Sequence, residues 1–124
     1  MTKKGVVWTG RVVSGLATLP FWPSIAFKFF NGPQMAEGMA HLGLPMTMVV
    51  PLGILELTCV VIYLVPRTAF LGAILMTGYL GGAICTHWRS GDFFILHIVL
   101  GIMIWLGLWL RDERLKALLP LRRL

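Results

Sequence analysis

LGILELTCVVIYLVPRTAFLGAILMTGYLGGAICTHWRSGDFF, residues Leu52 to Phe94, is two apolar runs joined at Pro66-Arg67. With the first run extended back to Met46, the two spans, 46–65 and 67–86, are each about 20 residues long, the length an α-helix needs to cross the hydrocarbon core of a bilayer. The polar residues inside them are few and oddly placed. Glu56 sits within the first run; Thr77, Gly78, Tyr79, Gly81 and Gly82 sit within the second; Thr86, His87, Arg89 and Asp92 crowd its far end. This hairpin is the expected core and the expected site.

Composition agrees with a membrane reading. The chain has 124 residues, 57% hydrophobic and 13% charged, with mean hydropathy +0.82, against roughly 25% charged in soluble domains. Its length suits a single membrane domain over residues 1–124. The net charge of +6 would invite nucleic acid in a soluble protein. Here the basic residues concentrate at the termini and one turn, so nucleic-acid binding is excluded in favour of loops that face the cytoplasm.

Outward from the hairpin, the pattern predicts spans over residues 6–30, 46–65, 67–86 and 94–110. Pro20 and Pro23 should kink or interrupt the first, since proline lacks the N–H and clashes with the preceding turn. Residues 33–42 are too short to cross. Met35, Met39 and Leu42 recur at helical spacing behind Pro33, which predicts a short interfacial helix. After the fourth span a basic tail, with Leu115, Leu118 and Leu119 at helical spacing, should lie on the membrane surface. The fold expected is an all-α, antiparallel four-helix transmembrane bundle. Lys3, Lys4, Arg11, Arg67, Arg111, Arg114, Lys116, Arg122 and Arg123 then share one face, nine of the eleven basic residues, leaving Lys28 and Arg89 on the other. Both termini are expected in the cytoplasm.

Cys59 and Cys85 should stay unbridged. They lie about 7 residues before and about 18 after the turn, a height mismatch of roughly 16 Å, and a disulfide needs Cα atoms within about 7 Å.

Glu56 is the leading candidate. An ionised carboxylate at mid-bilayer costs about 2.5–3.5 kcal/mol on insertion scales. It must be protonated, paired or turned to a wet cavity. Counted from the turn it is level with Thr77, Gly78 and about Gly101, and it shares a helix face with Cys59 and Tyr63. It reads either as a proton-labile, ligand-facing acid or as a hydrogen-bonded packing residue. The Gly78-x-x-x-Gly82 pair reads as close helix packing. Tyr79 and Thr86, seven apart, share a face, and Tyr79 can donate to a carbonyl ligand or serve the core. His87, Arg89, Asp92 and His97 gather at one mouth, with His87 and His97 about 4.5 Å apart in height, and His41 is placed to join them along one polar path. Arg89 and Asp92 are expected to pair. No His-x-x-x-His or Glu-x-x-His spacing marks a metal site. Arg11 and Lys28 should snorkel to the head groups.

Three runs, LGILEL (Leu52 to Leu57), PRTAFLGAILMTGYLGGAICTHWRSGD (Pro66 to Asp92) and GLWLRDERLKALLPLRR (Gly107 to Arg123), together with HLGLP (His41 to Pro45), resemble the DoxX-like family of small four-helix membrane proteins. The resemblance implies a bundle in a bacterial-type inner membrane. It also implies association with quinone-linked redox complexes or with assembly roles. On this reading a quinone-like or other apolar ligand is expected near Glu56, with Thr77, Tyr79, Thr86, His87, Arg89 and His97 as ligand-binding candidates. Quinone is the one cofactor implied, and a membrane redox complex, a second copy and the lipid bilayer are the partners. A proton-coupled transporter and a ligand-free scaffold stand as alternatives. No pattern assigns a catalytic group.

Overall fold

The computed structural model describes residues 3–30 and 32–122, and every regular element among them is helical. Three stretches are long and apolar enough to cross a membrane: Lys3–Phe30, Met46–Leu64 and Pro66–Arg89. A fourth apolar helix, Ile95–Arg111, has 17 residues. At 1.5 Å per residue it covers about 25 Å of a roughly 30 Å core. The chain is an integral membrane protein.

The first stretch is two helices. α1 (Lys3–Thr18) and α2 (Phe21–Phe30) are separated by a turn at Leu19-Pro20. Pro23 falls in the first turn of α2, where its missing N–H leaves no helical bond unmade. The break changes partners: α1 packs chiefly on α6 (Ile95–Arg111), whereas α2 packs on α4 (Val49–Leu64).

Gly32 caps α3 (Pro33–Leu42), whose first residue is Pro33. The helix ends at Gly43, φ +73°, with Gly43 N–H donating to Ala40 and Leu44 N–H to Met39. That left-handed residue closes the C-terminus in the way glycine permits. Short 3₁₀ turns at Met46–Met48 and Pro66–Thr68 lead into α4 and α5 (Ala69–Arg89). Gly91, φ +77°, turns the chain from α5 towards α6.

One half of the molecule is tightly closed. Tyr63, fully buried, donates its hydroxyl proton to the Ile104 carbonyl (2.7 Å) and shares a hydrogen bond with Ser14 Oγ (2.8 Å). Gly72 is what lets α5 approach there, since a Cβ would fall onto the Tyr63 backbone; Gly107 does the same for α6 against Ser14. Gly78 and Gly82 do not serve packing as the spacing predicts. A Cβ on either would meet nothing, and both are exposed.

The basic tail folds back against α6. After α7 (Glu113–Lys116), Leu115 is buried and Trp109 Nε1–H donates to the Leu119 carbonyl at 3.0 Å. Arg123 lies outside the described residues. Both cysteines are free, Cys59 buried and Cys85 exposed.

Candidate functional site: an ion pair opening on an apolar cavity

α4 buries one continuous stripe: Val49, Gly53, Glu56, Cys59, Val60 and Tyr63. The helical repeat therefore points Glu56 inward with its apolar neighbours, and only 2% of its side chain is exposed. α2 answers with a stripe of its own. Phe21 and Ile25 are buried in the core, and Ser24 and Lys28 lie beside them at i+3 and i+7 from Phe21. Gly53, one turn before Glu56, makes room for the lysine stem; a Cβ there would sit 3.1 Å from Lys28 Cβ.

Three donors converge on one carboxylate oxygen. Lys28 Nζ lies 2.8 Å from Glu56 Oε2, the Tyr79 hydroxyl 3.0 Å and Ser24 Oγ 3.2 Å. Lys28 also donates to Ser24 Oγ at 2.6 Å. Such a set belongs to a carboxylate, which accepts from every side, and charge-assisted bonds of this kind are the strong ones. Lys28 is thus held inside the helix cluster, 16% exposed, rather than snorkelling outward. Among the described residues no donor reaches Glu56 Oε1.

These groups form part of the wall of a cavity of about 590 Å³ between α2, α3, α4, α5 and α6. That size lies within the roughly 300–1,000 Å³ of small-molecule sites. Phe21, Leu52, Leu80 and Leu100 give it apolar sides, and α3 covers it with Met35, Met39 and Leu42. Further along the same cavity lie Thr86, His87 and His97. The two imidazoles meet, with ring centroids 4.6 Å apart. His87 Nδ1 lies 2.7 Å from the Ala83 carbonyl, an acceptor only, so this nitrogen carries the proton.

Glu56, Tyr79, Thr86, His87 and His97 are thus brought to one cavity. Thr77 and Arg89 lie outside its lining. Thr77 faces the other way, donating to the Ala73 carbonyl and accepting from Trp105 Nε1 at 2.7 Å each. Arg89 donates to the Leu42 carbonyl, and Asp92 pairs with His41 at 2.7 Å, so the expected Arg89–Asp92 pair is replaced by two ties from the end of α5 to α3. His41 is outside the lining too. Ser24 and Lys28 are the residues a linear reading misses. The signal for Lys28 is that Glu56 is the one acid within the apolar spans and needs a basic partner from another span. No group of three or more His, Cys, Asp or Glu among the described residues could hold a metal ion.

The match to the model of the DoxX-like family runs from residue 12 to residue 111, from α1 to the end of α6. The chain belongs to the DoxX-like family. The matched residues of this DoxX-like protein include both members of the ion pair and every helix that walls the cavity. No curated protein and no solved structure matches the chain.

Proposed function

We propose that this DoxX-like protein holds an apolar, quinone-sized ligand within the membrane, its polar head at the Lys28–Glu56–Tyr79 cluster. The observation that carries this reading is that a buried, triply hydrogen-bonded ion pair stands in the wall of a largely apolar cavity. Mutual neutralisation alone would be served as well by a pair packed shut. The resemblance extends the reading to an accessory subunit that keeps such a ligand for a membrane redox complex. In that setting the helices form an antiparallel four-helix bundle with α3 at the interface. Both termini are cytoplasmic and the cavity lies towards the opposite side. A proton-coupled transporter is less favoured, because Lys28 already neutralises the acid such a cycle would need free.

Titrating decylubiquinol, a quinone-type head group whose hydroxyls can donate to Glu56, under reducing conditions into nanodiscs carrying the wild-type protein or Glu56→Gln tests the proposal. Saturable binding, weakened about tenfold or more by the substitution, supports it; the figure corresponds to loss of a charged hydrogen-bond partner. Binding that is absent, or identical in both proteins, removes the role assigned to Glu56.

A further inference from the structure

The hydrogen-bond inventory of the cavity says what kind of head group it takes. Each donor at the cluster is largely committed. The Tyr79 and Ser24 hydroxyl protons go to Glu56 Oε2, and Lys28 spends one proton on Ser24 and one on Glu56. One Nζ proton is left. The uncommitted capacity is mostly for accepting: Glu56 Oε1 has no donor among the described residues, and the hydroxyl oxygens of Tyr79 and Ser24 keep lone pairs. Further along the cavity His87 directs its Nδ1 at the Ala83 carbonyl and not at the ligand space. The ion pair itself carries no net charge.

We infer that the cavity selects uncharged apolar molecules bearing a hydroxyl, such as long-chain phenols or alcohols, and discriminates against carboxylates and against ethers of the same shape. The hydroxyl donates to Glu56 Oε1 and accepts the remaining proton of Lys28. An ether offers no proton and leaves the carboxylate oxygen unpaired on an apolar wall, which is the costly outcome. A fatty carboxylate would set a second negative charge against Glu56. The inference rests on the binding role proposed above and adds the chemical class of the ligand.

The test is competition against a diazirine-bearing alkylphenol that cross-links to the full-length protein in nanodiscs, with labelled peptides read by mass spectrometry. The competitors are 4-octylphenol and its methyl ether, 4-octylanisole. Labelling of the segments around Glu56 and Tyr79 is expected, with the phenol competing at about one-tenth the concentration of the anisole or less. In the charge-balanced double variant Lys28→Met/Glu56→Leu, which removes acid and base together and so avoids a stranded charge, the two competitors should become equal. Equal competition in the wild type overturns the selectivity for hydroxyls while leaving a binding cavity. Absence of labelling at these segments overturns both readings. A preference that persists in the double variant overturns the assignment to Glu56.

Discussion

Lys28 Nζ and Glu56 Oε2 stand 2.8 Å apart, joining α2 to α4 across 28 residues of chain. Neither charge could be kept at this depth without the other. The cost of an isolated carboxylate falls when an ammonium and two hydroxyls replace the lost water. Lys28→Met should therefore destabilise the protein by about 3 kcal/mol, the lower part of the range for breaking a buried pair, because it strands the carboxylate. Lys28→Met/Glu56→Gln should recover most of that loss. Unfolding by denaturing detergent, monitored by circular dichroism, gives the coupling; additive effects would mean that the two charges do not depend on each other.

The glycines separate by their surroundings. Gly72→Ala drives a methyl into the Tyr63 backbone and should cost about 1–3 kcal/mol, in the range of overpacked cores. Gly81→Ala and Gly82→Ala meet open space and should stay within about 0.5 kcal/mol of wild type. The same unfolding assay ranks the three. A Gly82→Ala loss as large as that of Gly72→Ala would place the tight helix contact at the wrong glycine.

α3 is fastened over the cavity by Arg89 on the Leu42 carbonyl and His41 on Asp92, with Met39 only 4% exposed beneath it. Arg89→Ala should speed amide exchange in α3 by about tenfold, as expected for one lost bond from a charged donor. Exchange in α4 should not change. Hydrogen exchange with mass spectrometry reads both; equal acceleration in the two helices would mean global loosening instead.

Asp112 caps α7. Burial pushes its carboxyl upward, but hydrogen bonds from the Arg114 side chain and backbone outweigh this and hold it below the usual carboxylate range. Since the folded form binds its proton less readily than the unfolded, the cap contributes fully above the ordinary carboxylate pKa and is lost as pH falls through the lower, folded value. Protection of the α7 amides should therefore be flat from about pH 8 to 5 and decline below about 4. Asp112→Asn should be weaker at neutral pH and show no such decline; an acid-sensitive Asn variant would contradict the assignment.

Much of the fold and part of the site were legible in the chain. The apolar runs, the proline break and the height of Glu56 came from residue counting, and Tyr79, the residue that reaches the acid, lies one or two positions from the level expected. Meeting of His87 and His97 was countable for the same reason, since a single tight turn joins their helices. Lys28 is expected from the sequence at the head groups and not beside Glu56, because α3 stands between α2 and α4 and destroys any common register from which to count. Gly78 and Gly82 misled because small residues at i and i+4 also occur where a helix borders open space, and spacing does not say which side is occupied. The ties of Arg89 and Asp92 to α3 depend on where a short helix comes to rest. No periodicity encodes that.

On the reading proposed above, an apolar ligand occupies the space beside the Lys28–Glu56 pair. Native mass spectrometry of the protein released from membranes tests it most directly, comparing wild type with Ala83→Trp, a substitution that fills the cavity from α5 without touching either charge. The wild type should retain one small apolar molecule per chain, and Ala83→Trp should be bare while folding as before. A bare wild type, or the same adduct on both proteins, would contradict the account.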